Sequence, residues 1–259
     1  MAAPENGPDT RQVLERELRY HEELYSGFAQ MHFARPAVRA LRRNMVRRIL
    51  TRTRIQPNAR VLSIGCGIGD TELLLAPHTG HVTCLDLSPA AIRQGRADAE
   101  RQGIRNVEFV EGTSDAVAGR KFDAVIAIFF LHHLPDPALE RFPRELNELL
   151  EPGGAFYSLD PSVNRLSGKV GRLLVPKLME HYQTDDEREL HPGRTAELFR
   201  SAFPVVHLDF YDFGSSPLAG LFPGWAAGYH LARWADNAIL TLPPLRRMGS
   251  NFEIIAHKD

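Results

Sequence analysis

From residue 60 onward, short apolar runs alternate with longer segments in which apolar residues recur every three or four positions. The runs predict strands over residues 61–64, 82–86, 107–110, 122–128 and 155–159, and the intervening periodicity predicts helices. Such alternation implies a parallel sheet with helices on both faces. Ser88-Pro89 opens one crossover helix with a capping residue followed by proline at the first helical position, and that helix should end near Gly103. Another, over about 138–150, carries Pro143, where a break or kink is expected. Glu151-Pro152-Gly153-Gly154 should then turn the chain into the fifth strand.

The flanks are less regular. Asp9 or Thr10 can cap a helix reaching about Phe28, with Leu14, Leu18, His21, Leu24, Tyr25 and Phe28 on or near one face. A second helix is predicted from Pro36 to about Arg52, with Val38, Leu41, Met45 and Ile49 on its apolar side. After Pro161, residues 165–179 alternate basic and apolar side chains, and 183–189 form a charged loop. A helix over 193–202, a strand over 205–213 and a last strand over 251–257 restore the pattern. Between those two strands, residues 215–249 hold Phe222, Trp225, Tyr229 and Trp234, an insertion that either walls an apolar pocket or packs on the sheet. The domain reading is a disordered leader (1–10), an N-terminal helical cap (11–56) and one α/β domain (57–259) with insertions at about 162–192 and 215–249.

Composition narrows the function classes without naming one. A hydrophobic share of 43% and a charged share of 24% over 259 residues suit one large globular domain. A formal net charge of −1 gives no general reason to expect nucleic acid or a membrane surface as partner. The most apolar late stretch, 217–242, is interrupted by His230, Arg233 and Asp236, which argues against a simple membrane span. Cys66 and Cys84 make neither a disulfide framework nor a metal cluster and are expected to be reduced thiols in the cytoplasm. The one strong charge cluster is Arg35, Arg39, Arg42, Arg43, Arg47, Arg48, Arg52 and Arg54 on and beside the second helix. It reads as a solvated face balancing the acidic residues of the preceding helix, with an anionic acceptor or RNA as the alternative.

The chemistry concentrates at Arg60–Glu72, RVLSIGCGIGDTE, where a strand leads through Gly65, Gly67 and Gly69 into an amphipathic segment. Glycine lacks a Cβ, so this turn can take positive φ and let backbone approach a ligand. The next strand ends in Asp86, about 20 residues on, where a carboxylate accepts hydrogen bonds from ribose hydroxyls in dinucleotide-type folds. Together these features suggest a nucleoside-containing cofactor. No HExxH or CxxC gives the histidines a compact metal set.

The GxGxG spacing, the acidic end of the second strand, FVEGTSDAV, FDAVIAIFFLHHL and LEPGGAFYSLDP together resemble a class I S-adenosylmethionine-dependent methyltransferase over roughly residues 60–161. The resemblance implies a Rossmann-like, seven-stranded, mostly parallel sheet with an antiparallel pair at one edge. It implies S-adenosyl-L-methionine as cofactor and a small-molecule acceptor, with O-methylation preferred. Where the family usually has Asp or Glu two residues before the first glycine, this chain has Ser63, which can hydrogen-bond but brings no charge to a methionine ammonium. By resemblance, the cofactor residues are Ser63, Gly65, Cys66, Gly67, Gly69, Asp86, Leu87, Thr113, Ser114, Ile128 and Phe129. His132 and His133, after the fourth strand, are candidate bases, and His181, near Tyr182, Asp185 and His191, is another. Tyr20, Tyr25, His181, Trp225 and Tyr229 are candidate acceptor contacts. The rival readings are an NAD-linked oxidoreductase, which lacks a recognisable YxxxK pair here, an RNA-directed methyltransferase and a SAM-binding protein without turnover. The acceptor and the oligomeric state stay open.

Overall fold

The computed structural model describes residues 34–166 and 189–259. Helix α1 (Pro36–Thr53) precedes β1 (Arg60–Ile64). The core then runs α2 (Glu72–Leu75), β2 (His81–Asp86), α3 (Pro89–Gln102), β3 (Val107–Glu111), β4 (Phe122–Ile128), α4 (Asp136–Leu149) and β5 (Leu150–Pro161). The last part holds α5 (Pro192–Arg200), β6 (Val205–Asp212), α6 (Ser215–Leu221), α7 (Ala226–Ile239), α8 (Pro243–Arg246) and β7 (Asn251–His257). The seven strands form one sheet in the order β3-β2-β1-β4-β5-β7-β6. All pairings from β3 to β5 are parallel, while β7 runs antiparallel to both β5 and β6.

Side chains alternate across the strands, as a period of two requires. Val61, Val82, Cys84, Ala124, Ile126, Tyr157 and Ile255 belong to a core shared with α1 and α2. Their neighbours Leu62, Leu85, Val125, Phe156 and Ile254 belong to a second core with α4 and α5. Both faces are thus covered, which explains why these strands read as continuous apolar runs.

The caps of α3 match the expected chemistry. Ser88 Oγ accepts the Ala91 N–H at 3.2 Å, Pro89 follows it, and Gly103 closes the helix in the left-handed region at φ 67°. The break expected at Pro143 does not occur, for α4 runs through it. Proline forgoes one backbone bond there, but Phe142, Pro143 and Leu146 are buried, and tertiary packing outweighs the local cost. The turn over Glu151–Gly154 is a bulge within β5: Phe122 pairs with Leu150 and Ala124 already with Ala155, so the extra residues loop out through Gly153 at φ 75°.

The arginines do not form a single solvated face. Arg48 grips the fully buried Glu253 with both carboxylate oxygens engaged, Nε to Oε1 at 2.9 Å, while Tyr157 donates to Oε1 at 2.5 Å. Arg52 bonds Asp209, and Arg42 Nε lies 2.6 Å from Asp70. Arg48 and Arg52, one turn apart, face β6 and β7, and Arg42 faces the glycine loop, whereas Arg35, Arg39, Arg43 and Arg47 are exposed. The insertion after β6 folds as α6, α7 and α8, with Gly228, Tyr229 and Asp236 of α7 turned inward. No helix among the described residues is long and apolar enough to cross a membrane.

Candidate active site

The strand order reverses direction between β1 and β4, so the carboxyl ends of these strands flank a crevice at the topological switch point. The glycine loop occupies one side. Gly65, Gly67 and Gly69 have φ of 68°, 55° and 75°, values open to glycine and costly for other residues. The loop is fastened to β2: Gly65 donates to the Leu85 carbonyl at 2.8 Å, and Gly67 donates to Asp86 Oδ2 at 2.7 Å. Asp86 Oδ1 accepts the Ser88 N–H at 2.9 Å. Asp86 therefore sets the loop's shape as well as presenting negative charge, and it is half-buried rather than withdrawn into the interior.

The three glycines differ in what they face. A Cβ on Gly65 would collide with the Phe130 ring. A Cβ on Gly69 would lie 2.7 Å from Phe109, as would one on Gly95 of α3, closer still. Gly69 is thus explained by the seating of Phe109 beneath the loop. Phe129 takes φ 54°, unusual for an aromatic residue, and the chain is re-aimed there so that Phe130 packs on Gly65. Arg42 lies over the Phe129 ring at 5.9 Å.

Ser63 acquires a carboxyl partner that sequence reasoning missed. Its Oγ bonds Glu72 Oε1 at 2.6 Å, both residues are buried, and Glu72 Oε2 makes no hydrogen bond. Burial, with Asp70 nearby, pushes the Glu72 carboxyl up to about 7. A carboxyl thus stands beside Ser63, contributed by the first turn of α2. The only sequence signal was an acidic residue just after the glycine loop, which a helix N-terminus favours in any case.

Opposite the loop, Leu131–His133 form a short 3-10 turn after β4. His132 Nδ1 lies 3.0 Å from Asp160 Oδ1, at the end of β5, and the same oxygen accepts the His132 backbone N–H at 3.3 Å. Both residues are buried. A carboxylate only accepts, so the imidazole donates Nδ1–H and its lone pair is on Nε2. The His133 ring is half-buried, its centroid 4.1 Å from that of His132. Asp160 was another residue missed, although it stands in the quoted LDP motif.

Of the other expected residues, Ile128 is buried beneath the crevice and Leu87 is exposed. Thr113 is exposed and Ser114 half-buried beyond β3, where Thr113 caps no helix with its side chain. Cys66 and Cys84 are buried free thiols, pushed up by burial and hence poor nucleophiles. Trp225 is 54% exposed, whereas Tyr229 is 1% exposed within the core, so the structure does not bring these two rings to one cavity wall. Tyr20, Tyr25 and His181, with His21, Tyr182 and Asp185, lie outside the described residues. Among the described residues no group of His, Cys, Asp and Glu is arranged to hold a metal ion.

S-adenosylmethionine carries a cation at sulfur, an ammonium and a diol, and this crevice offers a positive-φ glycine loop, Asp86 and an orphaned buried carboxylate oxygen on Glu72. The donor and acceptor set fits. Residues 61–154 match a family model described as a methyltransferase domain. The chain is 31% identical over 185 residues to a demethylmenaquinone methyltransferase of Listeria welshimeri, covering 63% of this chain and 78% of that protein. It is also 31% identical over 158 residues to a ubiquinone biosynthesis O-methyltransferase of Xylella fastidiosa, covering 58% and 62%. An N-methyltransferase from Bradyrhizobium japonicum, solved with S-adenosyl-L-homocysteine, superposes with TM-score 0.58 at 13% identity over 93% of this chain and 97% of its own, a likeness of fold. On this sequence kinship the chain belongs to the class I S-adenosylmethionine-dependent methyltransferases.

Proposed function

We propose that this methyltransferase acts on an oxygen of a small, partly apolar acceptor, with His132 as the base. The observation that carries the reading is the His132–Asp160 pair at the crevice. Nitrogen nucleophiles already hold a lone pair, whereas a hydroxyl must lose its proton, and an imidazole oriented by a carboxylate is the group that takes one. A name among the relatives, ubiquinone biosynthesis O-methyltransferase, supports oxygen as the atom methylated. Family membership removes the reason for an NAD-linked reading.

The bound cofactor supplies a methyl group already activated on a sulfonium. In this reading the backbone of Gly65, Cys66 and Gly67 lies against its methionine portion, with Ser63 and Glu72 at the ammonium. Asp86 takes the ribose hydroxyls, Leu87, Thr113 and Ser114 border the adenine, and Ile128 and Phe129 cover the region near sulfur. Gly69 contributes through Phe109 beneath the loop. His133 lies against the base, and Tyr20, Tyr25 and His181 stand as acceptor contacts, while Trp225 and Tyr229 drop out of that set. Alignment of the reacting atoms contributes roughly 7–11 kcal/mol, and proton removal by His132 a further factor of about 10²–10⁴.

The test supplies purified protein with isotopically labelled donor and a panel of phenols, catechols and amines. Label should enter oxygen-linked products. His132→Ala should lower kcat by about 10²–10⁴ while calorimetric affinity for S-adenosylhomocysteine holds. Asp160 acts through His132: Asp160→Asn offers an amide N–H that turns the imidazole to the wrong tautomer, so kcat should fall with KM unchanged. Transfer to amines alone, or full turnover by His132→Ala, would remove the assignment.

A further inference from the structure

Seven of the ten large apolar side chains exposed among the described residues lie between Leu221 and Leu245. On α7, Ala227, Leu231, Trp234 and Ala238 recur at helical spacing and all face outward, with Leu231 63% and Trp234 71% exposed. The same helix already buries Tyr229 on its inner side, so the outer stripe is surplus to the fold. An apolar patch of this extent on a protein surface marks a contact with something else.

The charges around it identify the partner. Residues 215–249 contain one carboxylate, Asp236, and it is turned inward to accept the N–H groups of Gly214 and Ser215 at 2.9 Å. Helix α1, which packs along α7, has no acidic residue and exposes Arg39, Arg43 and Arg47 at intervals of four, continuing the line from Arg35. The Ala37 N–H donates to the Pro223 carbonyl at 2.8 Å, so the start of this row adjoins the loop bearing Phe222 and Trp225. Among the described residues, aromatic and aliphatic groups thus project beside a file of guanidinium groups with no exposed carboxylate between them.

We propose that this face docks on an anionic phospholipid bilayer, with the leucines and tryptophans entering the headgroup boundary and the arginines meeting lipid phosphates. A nucleic acid would engage the arginines but leave the leucines in water. A second copy of the chain would bring two arginine rows face to face. The inference rests on this surface alone and stands whichever acceptor the enzyme uses.

The chain has two tryptophans, Trp225 and Trp234, both in the patch, so intrinsic fluorescence reports on it directly. The full chain would be titrated with vesicles of equal parts phosphatidylglycerol and phosphatidylcholine, and with phosphatidylcholine alone. The expected result is a blue shift and co-flotation with the mixed vesicles. Leu231→Glu, and separately the pair Arg39→Glu and Arg43→Glu, should each weaken that binding by about tenfold or more while calorimetric affinity for S-adenosylhomocysteine is kept. Absence of binding to the mixed vesicles, equal binding to phosphatidylcholine alone, or a lipid-free blue shift that grows with protein concentration would each overturn the proposal. The last would assign the face to a second copy.

Discussion

Glu72 sits where water barely reaches, bonded to Ser63 through one oxygen and to nothing through the other. Burial first, then Asp70, raises its pKa to about 7, above the usual carboxylate range, so the folded protein holds this proton more tightly than the unfolded chain does. The stability it contributes is therefore complete below about pH 4.5 and is lost as pH rises through about 7, for a total of roughly 3 kcal/mol. Glu72→Gln should flatten this dependence and make the cofactor-free variant more stable than the parent above pH 7, as read from urea midpoints across pH 5–8. If the deprotonated carboxylate receives the ammonium, the variant should also bind S-adenosylhomocysteine one to two decades more weakly, a charged hydrogen bond being worth about 1.5–3 kcal/mol. Binding of 5′-methylthioadenosine, which lacks the amino-acid portion, should be unchanged. Asp86 was legible in the chain because strand ends announce themselves by pattern. Glu72 was not, because its meeting with Ser63 across nine residues depends on how the loop folds back.

Among the elements, the contact of α3 with β3 is narrowly fitted. Gly95, in the middle of α3, lies flush against Phe109, the same ring that fills the space beside Gly69. An alanine in mid-helix is ordinarily favoured over glycine by about 1 kcal/mol. Gly95→Ala should nonetheless destabilise by about 1–3 kcal/mol, because the added methyl has no room. Phe109→Leu should recover part of the loss, and a thermal double-mutant cycle measures that coupling. Local signals revealed the ends of α3, since a serine cap, a proline and a closing glycine act within a few residues. They did not reveal why Gly69 and Gly95 are glycine, since their partner is a side chain on another strand. Pro143 does not break α4 for the same reason: the rule against proline in a helix is local, and the burial that offsets it is not.

At the scale of the molecule, α1 links the two halves of the sheet. It reaches Asp70 by the glycine loop through Arg42, and Glu253 and Asp209 in the antiparallel wing through Arg48 and Arg52. Tyr211 adds a hydrogen bond to Asn44 at 2.8 Å. Arg48→Met would leave the buried Glu253 carboxyl with Tyr157 as its hydrogen-bond donor and Arg52 3.9 Å away, and should cost about 3–5 kcal/mol in chemical denaturation. Adding Glu253→Gln should restore much of that loss. The alternation of strands and helices had announced the parallel architecture, because hydrophobic period is written continuously along the chain, whereas the antiparallel pair at one edge was implied by the family resemblance. The division of the arginines was hidden: Arg48 and Arg52 face inward because of carboxylates 205 and 157 residues away, and Arg42 because of Asp70 beyond the glycine loop.

The position of β7 carries a consequence for how the chain is made. This strand is the seventh in sequence but lies sixth in the sheet, wedged between β5 and β6. During synthesis β6 emerges before β7, its only strand partner, so its ladder stays unpaired, with α6 to α8 already trailing from it, until residues 251–257 clear the ribosome. Only then do two strands join at once, so the antiparallel wing closes in a single late step while the parallel half, whose strands lie earlier in the chain, is free to assemble first.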